Sequence, residues 1–156
     1  MYKKISGSAV VFLILYVDDI LLIGNDVGNL SSVKLWLSQQ FDMKDLGEAN
    51  YVLGIRIFRD RKNRMLALSQ ASYIDTIIER FAMQEAKKGS QPSIAGMTLS
   101  LDDCPKTMED RERMSKVPYA LAVGSLMYAM LCTRPDICHA VGMVSRYQAN
   151  PGLKHW

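Results

Sequence analysis

The chain has 156 residues, of which 49% are hydrophobic and 22% are charged. This length corresponds to about one domain, and the apolar fraction is large enough to bury a core, which excludes wholesale disorder. The net charge of +3 is too small to indicate a nucleic-acid partner by itself. The three cysteines are an odd number at irregular spacing, which favours a reducing compartment over a disulfide framework.

Neither a signal peptide nor a membrane span is predicted. The apolar run at residues 10–17 is not closed by a small-residue cleavage site. It is also far shorter than the roughly 20 residues that cross a bilayer. We therefore expect a soluble intracellular protein, cytoplasmic or nuclear, with no membrane partner.

Residues 10–23 read VVFLILYVDDILLI, two short apolar runs on either side of the adjacent carboxylates Asp18 and Asp19. Neither run is long enough for a helix, and both are rich in β-branched and aliphatic residues. The pattern predicts two core strands in a hairpin with the carboxylates at its tip. A rigid tip with two negative charges suits a divalent cation, although Asp is also an ordinary turn former.

A helix and a second hairpin are predicted next. Ser31 or Asp26 can cap the helix, and its apolar residues recur at three- and four-residue steps: Leu30, Val33, Leu37 and Phe41. Residues 51–58 alternate between two faces as a strand does, and residues 65–68 can return as the partner strand after a polar turn.

The second predicted hairpin is basic. Five positive side chains stand against one acid, Asp60, which gives a local charge of +4: Arg56, Arg59, Arg61, Lys62 and Arg64. Such a patch can contact phosphates, although hairpin tips are often basic for solubility alone. Gly54 either permits close approach of a nucleic-acid strand or marks a bulge.

The rest of the chain is predicted to be helical on both sides of a linker. Ser69 or Ser72 begins a helix with an apolar stripe, formed by Ile74, Ile77, Ile78 and Phe81. From about residue 84 to residue 117, glycine and proline break the pattern, and we expect either an irregular linker or a mobile wrap at the boundary between two parts. Two further helices follow Pro118, the second behind a predicted capping box of Thr133 and Asp136.

Four blocks in order along the chain carry a family resemblance: LYVDDILLIG, FDMKDLGEANYVLGIRI, LSQASYIDTIIERFAM and PYALAVGSLMYAMLCTRPDICHAVGMVSRY. Together they resemble the reverse transcriptase region of copia-type long-terminal-repeat retrotransposon Pol polyproteins, truncated at both ends. The YVDD tetrad alone is weak evidence, whereas four ordered blocks over nearly the whole chain are specific.

The resemblance implies an α+β fold built on a partial polymerase palm. Residues 1–68 would be the palm remnant, with the YVDD hairpin and a second hairpin that resembles the primer grip. Residues 69–83 would be a thumb-like helix, residues 84–117 a linker, and residues 118–156 a helical connection segment.

Individual roles also follow from the resemblance. Asp18 would bind Mg²⁺ or Mn²⁺ with the support of Asp19, and Tyr16 and Val17 would line the path of the primer end. The nucleic-acid contacts would come from Leu53, Gly54, Arg56, Arg59, Arg61 and Lys62. The implied partners are an RNA or DNA template-primer and deoxynucleoside triphosphates, in two-metal nucleotidyl transfer to a primer 3′ end.

The isolated chain is expected to be inactive. The family carries a third metal-binding carboxylate and a fingers region upstream, and Mg²⁺ demands nearly octahedral coordination. Within this sequence the nearby candidates for a third carboxylate are Asp26, Asp42 and Asp45. The alternative hypothesis is a truncated or domesticated module, without catalysis, that binds nucleic acid or protein.

Overall fold

The computed structural model describes residues 1–87, 89 and 96–156. It contains two compact units, Met1–Leu53 and Gly54–Trp156. This boundary lies inside residues 1–68, which were expected to form one palm remnant. The described residues form six strands and five α-helices, so the architecture is mixed α and β. Among these helices none is long and apolar enough to cross a membrane.

The first unit is built on an antiparallel sheet with the strand order β1-β2-β3. Its strands are β1 (Tyr2–Ser6), β2 (Ala9–Tyr16) and β3 (Asp19–Gly24). The first apolar run forms the central strand, with Leu13 opposite Tyr2 of β1 and Tyr16 opposite Asp19 of β3. The hairpin predicted from residues 10–23 is therefore present.

Helix α1 (Val27–Gln40) covers one face of this sheet. Its N-cap is Asp26, whose carboxylate accepts a hydrogen bond from the Asn29 N–H at 2.7 Å. A Cβ on Gly24 would lie 3.1 Å from Leu30 Cδ2, and Gly24 pairs with the buried Val11. The helix therefore lies on the face of the sheet that carries Val11. Phe41, predicted on the apolar face, instead ends the helix and is exposed.

Asp45 ties the segment that follows α1 to Lys34 of that helix. This carboxylate lies 3.0 Å from Lys34 Nζ and accepts a hydrogen bond from the Gly47 N–H at 2.9 Å. The bonds from Gly47 and Lys34 lower the pKa of Asp45. A two-residue strand, β4 (Tyr51–Val52), follows.

The second hairpin consists of β5 (Ile55–Asp60) and β6 (Met65–Ser69), with Asp60 opposite Met65. The prediction of one continuous strand over residues 51–58 is wrong, because Leu53 and Gly54 form a turn with φ values of 53° and 75°. No atom lies within 4 Å of a Cβ built on Gly54. Gly54 therefore allows the left-handed backbone conformation of a turn, and it marks neither a bulge nor a close approach within the chain.

Four helices complete the second unit: α2 (Ala71–Arg80), α3 (Met108–Ser115), α4 (Tyr119–Cys132) and α5 (Cys138–Ser145). The predicted helical pair is present as α4 and α5, whose shared core contains Tyr119, Val123 and Val141. The Tyr119 hydroxyl donates to the Val144 carbonyl at 2.8 Å. Three short 3-10 turns lie between or after these helices, at Leu101–Asp103, Pro135–Ile137 and Leu153–His155.

Helix α3 contradicts the expectation that the whole stretch from residue 84 to residue 117 is irregular. Thr107 caps it by accepting a hydrogen bond from the Asp110 N–H at 3.1 Å. Glu109 and Asp110 lie in its first turn and Arg113 in its last, where they complement the helix dipole. Residues 88 and 90–95 of the expected linker lie outside the described residues.

The capping box predicted before α5 is also wrong. The Thr133 hydroxyl instead donates to Oε1 of the buried Gln70 at 2.7 Å. Asp136 accepts two hydrogen bonds from the Arg134 guanidinium, at 2.9 and 2.7 Å, and these lower its pKa. Thr133 therefore links the end of α4 to the start of α2.

Candidate functional site

The hairpin between β2 and β3 closes through a two-residue turn. Tyr16 pairs with Asp19, which leaves Val17 and Asp18 as the loop. We call residues 16–19 the acidic tip. Two-residue hairpin turns that match the strand twist need positive φ at the first central residue, and glycine or asparagine usually supplies it.

Val17 has a φ of 50°, in the left-handed region. A β-branched residue is rarely found there, and such a conformation costs about 1–3 kcal/mol. The backbone of the turn cannot relax freely, because six consecutive residue pairs fix the two strands on either side of it. The strain therefore falls on the residue next to the two carboxylates.

Both carboxylates face solvent. Asp18 and Asp19 are exposed, as are Tyr16 at 56% and Val17 at 78% of their full surface. Within the described part of the chain, neither aspartate has an ion-pair partner. Their negative charges therefore remain available to an external cation.

The register also fixes which face of the sheet each side chain occupies. Tyr16 and Asp19 are directly opposite each other and so lie on one face. Tyr16 lies five positions after Val11 along β2, and an odd difference in position places the two side chains on opposite faces. Helix α1 covers the Val11 face, so Tyr16 and Asp19 lie on the face away from α1.

A third carboxylate does not join the tip in the described residues. Among them no group of three or more His, Cys, Asp or Glu side chains is arranged to hold a metal. Two of the three candidates have structural roles, since Asp26 caps α1 and Asp45 binds Lys34. Asp42 is exposed just after α1.

The base of the same hairpin is held by Asn25, a residue that sequence reasoning missed. The Val10 N–H donates to Asn25 Oδ1 at 2.8 Å, and Asn25 Nδ2 donates to the Ser8 carbonyl at 2.9 Å. The amide therefore joins the turn between β1 and β2 to the end of β3. The sequence showed only a turn-forming segment at this position.

The basic hairpin, β5 and β6 with their loop at residues 61–64, lies in the second unit. Its acid Asp60 accepts hydrogen bonds from the Asn63 N–H and side-chain amide at 3.0 and 2.7 Å, which lower the Asp60 pKa. The Arg56 guanidinium lies 4.3 Å from the Phe58 ring centre. The other three predicted contact side chains of the hairpin, Arg59, Arg61 and Lys62, are exposed.

The family model described as reverse transcriptase (RNA-dependent DNA polymerase) matches residues 1–95, more than half of the chain. The chain belongs to this family. Together with the Pol polyproteins described next, this match confirms the resemblance indicated by the four sequence blocks. The matched residues of this reverse transcriptase chain include both the acidic tip and the basic hairpin.

Curated relatives extend the similarity over nearly the whole chain. A retrovirus-related Pol polyprotein from transposon TNT 1-94 of Nicotiana tabacum is 52% identical over 155 residues, covering 99% of this chain and 12% of that protein. The Pol polyprotein from transposon RE1 of Arabidopsis thaliana is 38% identical over 149 residues, covering 96% of this chain and 10% of that protein.

A shorter relative is an uncharacterised mitochondrial protein of Arabidopsis thaliana, 37% identical over 142 residues, which cover 91% of this chain and 55% of that protein. This reverse transcriptase chain thus spans about a tenth of the length of the Pol polyproteins that it matches. No solved structure matches it.

Proposed function

We propose that this chain is the part of a retrotransposon reverse transcriptase that presents Asp18 and Asp19 to a divalent metal at the primer 3′ end. One observation carries the proposal: two adjacent, exposed carboxylates lie at the tip of a hairpin, one in its strained turn and one in the next strand, and six residue pairs fix the register. The reaction is RNA-directed DNA synthesis, in which a nucleotide is added to the primer.

The donor set at the tip fits Mg²⁺ or Mn²⁺, because both ions prefer hard oxygen ligands and carboxylates supply them. Asp18 would be a direct ligand and Asp19 would support it. When bound, the metals of such a site activate the attacking hydroxyl and stabilise the leaving pyrophosphate. Tyr16 shares a face with Asp19 and would line the path of the primer end, together with Val17.

The larger divisions belong to the same proposal. Residues 1–68 would act as the palm remnant, α2 as the start of the thumb, and residues 118–156 as the connection segment. The basic hairpin would grip the template-primer through exposed cations. The three unpaired thiols, Cys104, Cys132 and Cys138, suit an intracellular site of action.

The isolated chain is proposed to be inactive in primer extension. Two carboxylates leave most of the octahedral shell of Mg²⁺ to water, and Mg²⁺ then binds weakly. The test is extension of a DNA primer on an RNA template by the 156-residue chain, with Mg²⁺ or Mn²⁺ and an Asp18→Asn control. We expect no incorporation above the control; incorporation that exceeds it would refute the inactivity while supporting the role of Asp18.

Nucleic-acid binding is tested separately, by fluorescence anisotropy with an RNA–DNA duplex at several salt concentrations. Replacing Arg59 and Lys62 with glutamine removes two charges from the basic hairpin. The expected result is weaker binding, with a salt dependence that is shallower by about 0.9 for each phosphate that the hairpin no longer neutralises. The matched control replaces Lys106 and Arg113, which form ion pairs elsewhere in the second unit, with glutamine. Equal weakening in both double variants would contradict a role for the hairpin.

The second candidate function is a non-catalytic module that binds nucleic acid or protein. The exposed basic hairpin favours it, since phosphate binding does not require a complete metal site. This function predicts duplex binding that is unchanged in the Asp18→Asn variant. Under the first function, by contrast, Asp18→Asn weakens the metal-dependent part of duplex binding.

A further inference from the structure

The C-terminal turn Leu153–His155 packs against the 3-10 helix Leu101–Asp103. Gly152 approaches the Asp103 carbonyl oxygen so closely that a Cβ on Gly152 would collide with it. Lys154 Nζ lies 3.0 Å from Asp103 Oδ1. We call residues 99–104 and 152–155 together the C-terminal clasp.

His155 lies at the centre of the clasp and is only 5% exposed. Its ring stacks on the Tyr147 ring, with 4.0 Å between centroids and 10° between planes. The Tyr147 hydroxyl in turn donates to the Leu99 carbonyl at 2.8 Å. The imidazole and the tyrosine it stacks on therefore both bind the segment that begins at Leu99.

The hydrogen bonds of His155 fix its tautomer. The Gly152 N–H donates to Nδ1 at 2.9 Å, so Nδ1 carries no proton. Nε2 lies 3.2 Å from the Ser100 carbonyl oxygen, and as the protonated nitrogen it donates there. Both ring nitrogens are satisfied only while the imidazole is neutral.

A second proton, on Nδ1, would point at the Gly152 N–H. The hydrogen bond from the Gly152 N–H to Nδ1 would be lost. Two buried donors would then face each other without an acceptor, which is costly. Among the described residues, the charged and titratable groups of the clasp are Lys154 on the turn of the ring itself, Asp102, Asp103 and Cys104 on the facing segment, and Tyr147, on which the ring stacks. Lys154 and Ser100 lower the pKa of Asp103 to about 2, so this carboxylate stays charged at mildly acidic pH.

We propose that the C-terminal clasp is a pH-sensitive latch, in which protonation of His155 at Nδ1 releases the turn at residues 152–155 from residues 99–104. Histidine is the side chain that ordinarily changes charge between about pH 5 and pH 8. The clasp is thus closed at neutral pH, and its stabilisation is lost as the pH falls. This inference does not rest on the polymerase function.

The test is amide hydrogen exchange on the full chain at about pH 7.5 and about pH 5, corrected for the intrinsic pH dependence of exchange. We expect protection of the clasp amides to fall by about tenfold or more at the lower pH, while protection in α4 and α5 changes little. The chain has two histidines, and His139 is exposed. His139→Gln should keep the response, and His155→Gln should remove it.

Unchanged protection of the wild-type clasp at the lower pH, or a response that survives in His155→Gln, overturns the proposal. If the clasp of His155→Gln is open at both pH values, NMR titration of the wild-type imidazole decides. The latch requires the His155 ring signals to titrate together with the loss of clasp protection. A ring that becomes protonated while the clasp stays closed contradicts it.

Discussion

The acidic tip and the C-terminal clasp are both tight turns that carry carboxylates, and they use them in opposite ways. In the clasp, Asp103 accepts hydrogen bonds from Lys154 and Ser100, so its charge is neutralised locally. At the tip, Asp18 and Asp19 are exposed and lack an ion-pair partner in the described part of the chain. The acid of the clasp holds two segments together, whereas the acids of the tip remain exposed.

The two turns also differ in the residue type at the point where the backbone is most restricted. The clasp places glycine where another chain segment approaches, while the tip places Val17 in a left-handed conformation that glycine or asparagine would adopt more easily. The backbone of the clasp at Gly152, with a φ of −101°, is therefore relaxed, whereas the backbone of the tip at Val17 is strained.

The largest expected effect tests the close approach within the C-terminal clasp. Gly152→Ala would place a Cβ against the Asp103 carbonyl, and we expect it to lower the free energy of unfolding by about 3 kcal/mol. Chemical denaturation followed by circular dichroism measures this change. The control is Gly142→Ala in α5, where a Cβ meets no atom within 4 Å. It should stabilise the helix by about 0.5–1 kcal/mol, and equal destabilisation in both variants would contradict the close approach.

A smaller effect of opposite sign tests the strained turn. Val17→Asn should raise the free energy of unfolding by about 1 kcal/mol, because asparagine tolerates positive φ and little burial is lost. Val27, also 78% exposed but in the first turn of α1, provides the matched control Val27→Asn, from which we expect no gain. A loss of stability in Val17→Asn would show that the tip is not strained as described.

The smallest effect is the pH dependence contributed by Asp103. Its pKa in the folded chain is about 2, below the ordinary value of 3.8, so it stabilises the fold above about pH 4 and this stabilisation is lost as the pH falls toward 2. Asp103→Asn should therefore be less stable than the wild type at neutral pH and lose less on acidification. Asp102→Asn, which removes an exposed charge beside it, should keep the wild-type acid profile in denaturation at a series of pH values.

The sequence predicted the elements whose signals are local. Two β-branched apolar runs around Asp18 and Asp19 indicated the first hairpin, and the apolar spacing after Pro118 indicated the α4 and α5 pair. Both appear in the structure, because burial of one apolar face determines such elements.

The sequence pattern did not reveal elements that depend on backbone conformation, on helix capping or on contacts between distant residues. Leu53 and Gly54 preserve the alternation of a strand, so the pattern concealed a turn that depends on backbone conformation. Helix α3 is polar throughout most of its length, and only the Thr107 cap and its end charges mark it. The clasp joins Ser100 to His155, two residues far apart in the chain, and no local pattern specifies such a contact.

The central claim is that the acidic tip holds a divalent cation. The direct measurement is paramagnetic broadening of amide NMR signals when Mn²⁺ is added to the full chain. We predict that residues 16–20 broaden first, that Mg²⁺ competes, and that Asp18→Asn with Asp19→Asn abolishes the effect. Broadening centred on the acidic first turn of α3 instead, or a response at the tip that survives removal of both carboxylates, would contradict the account.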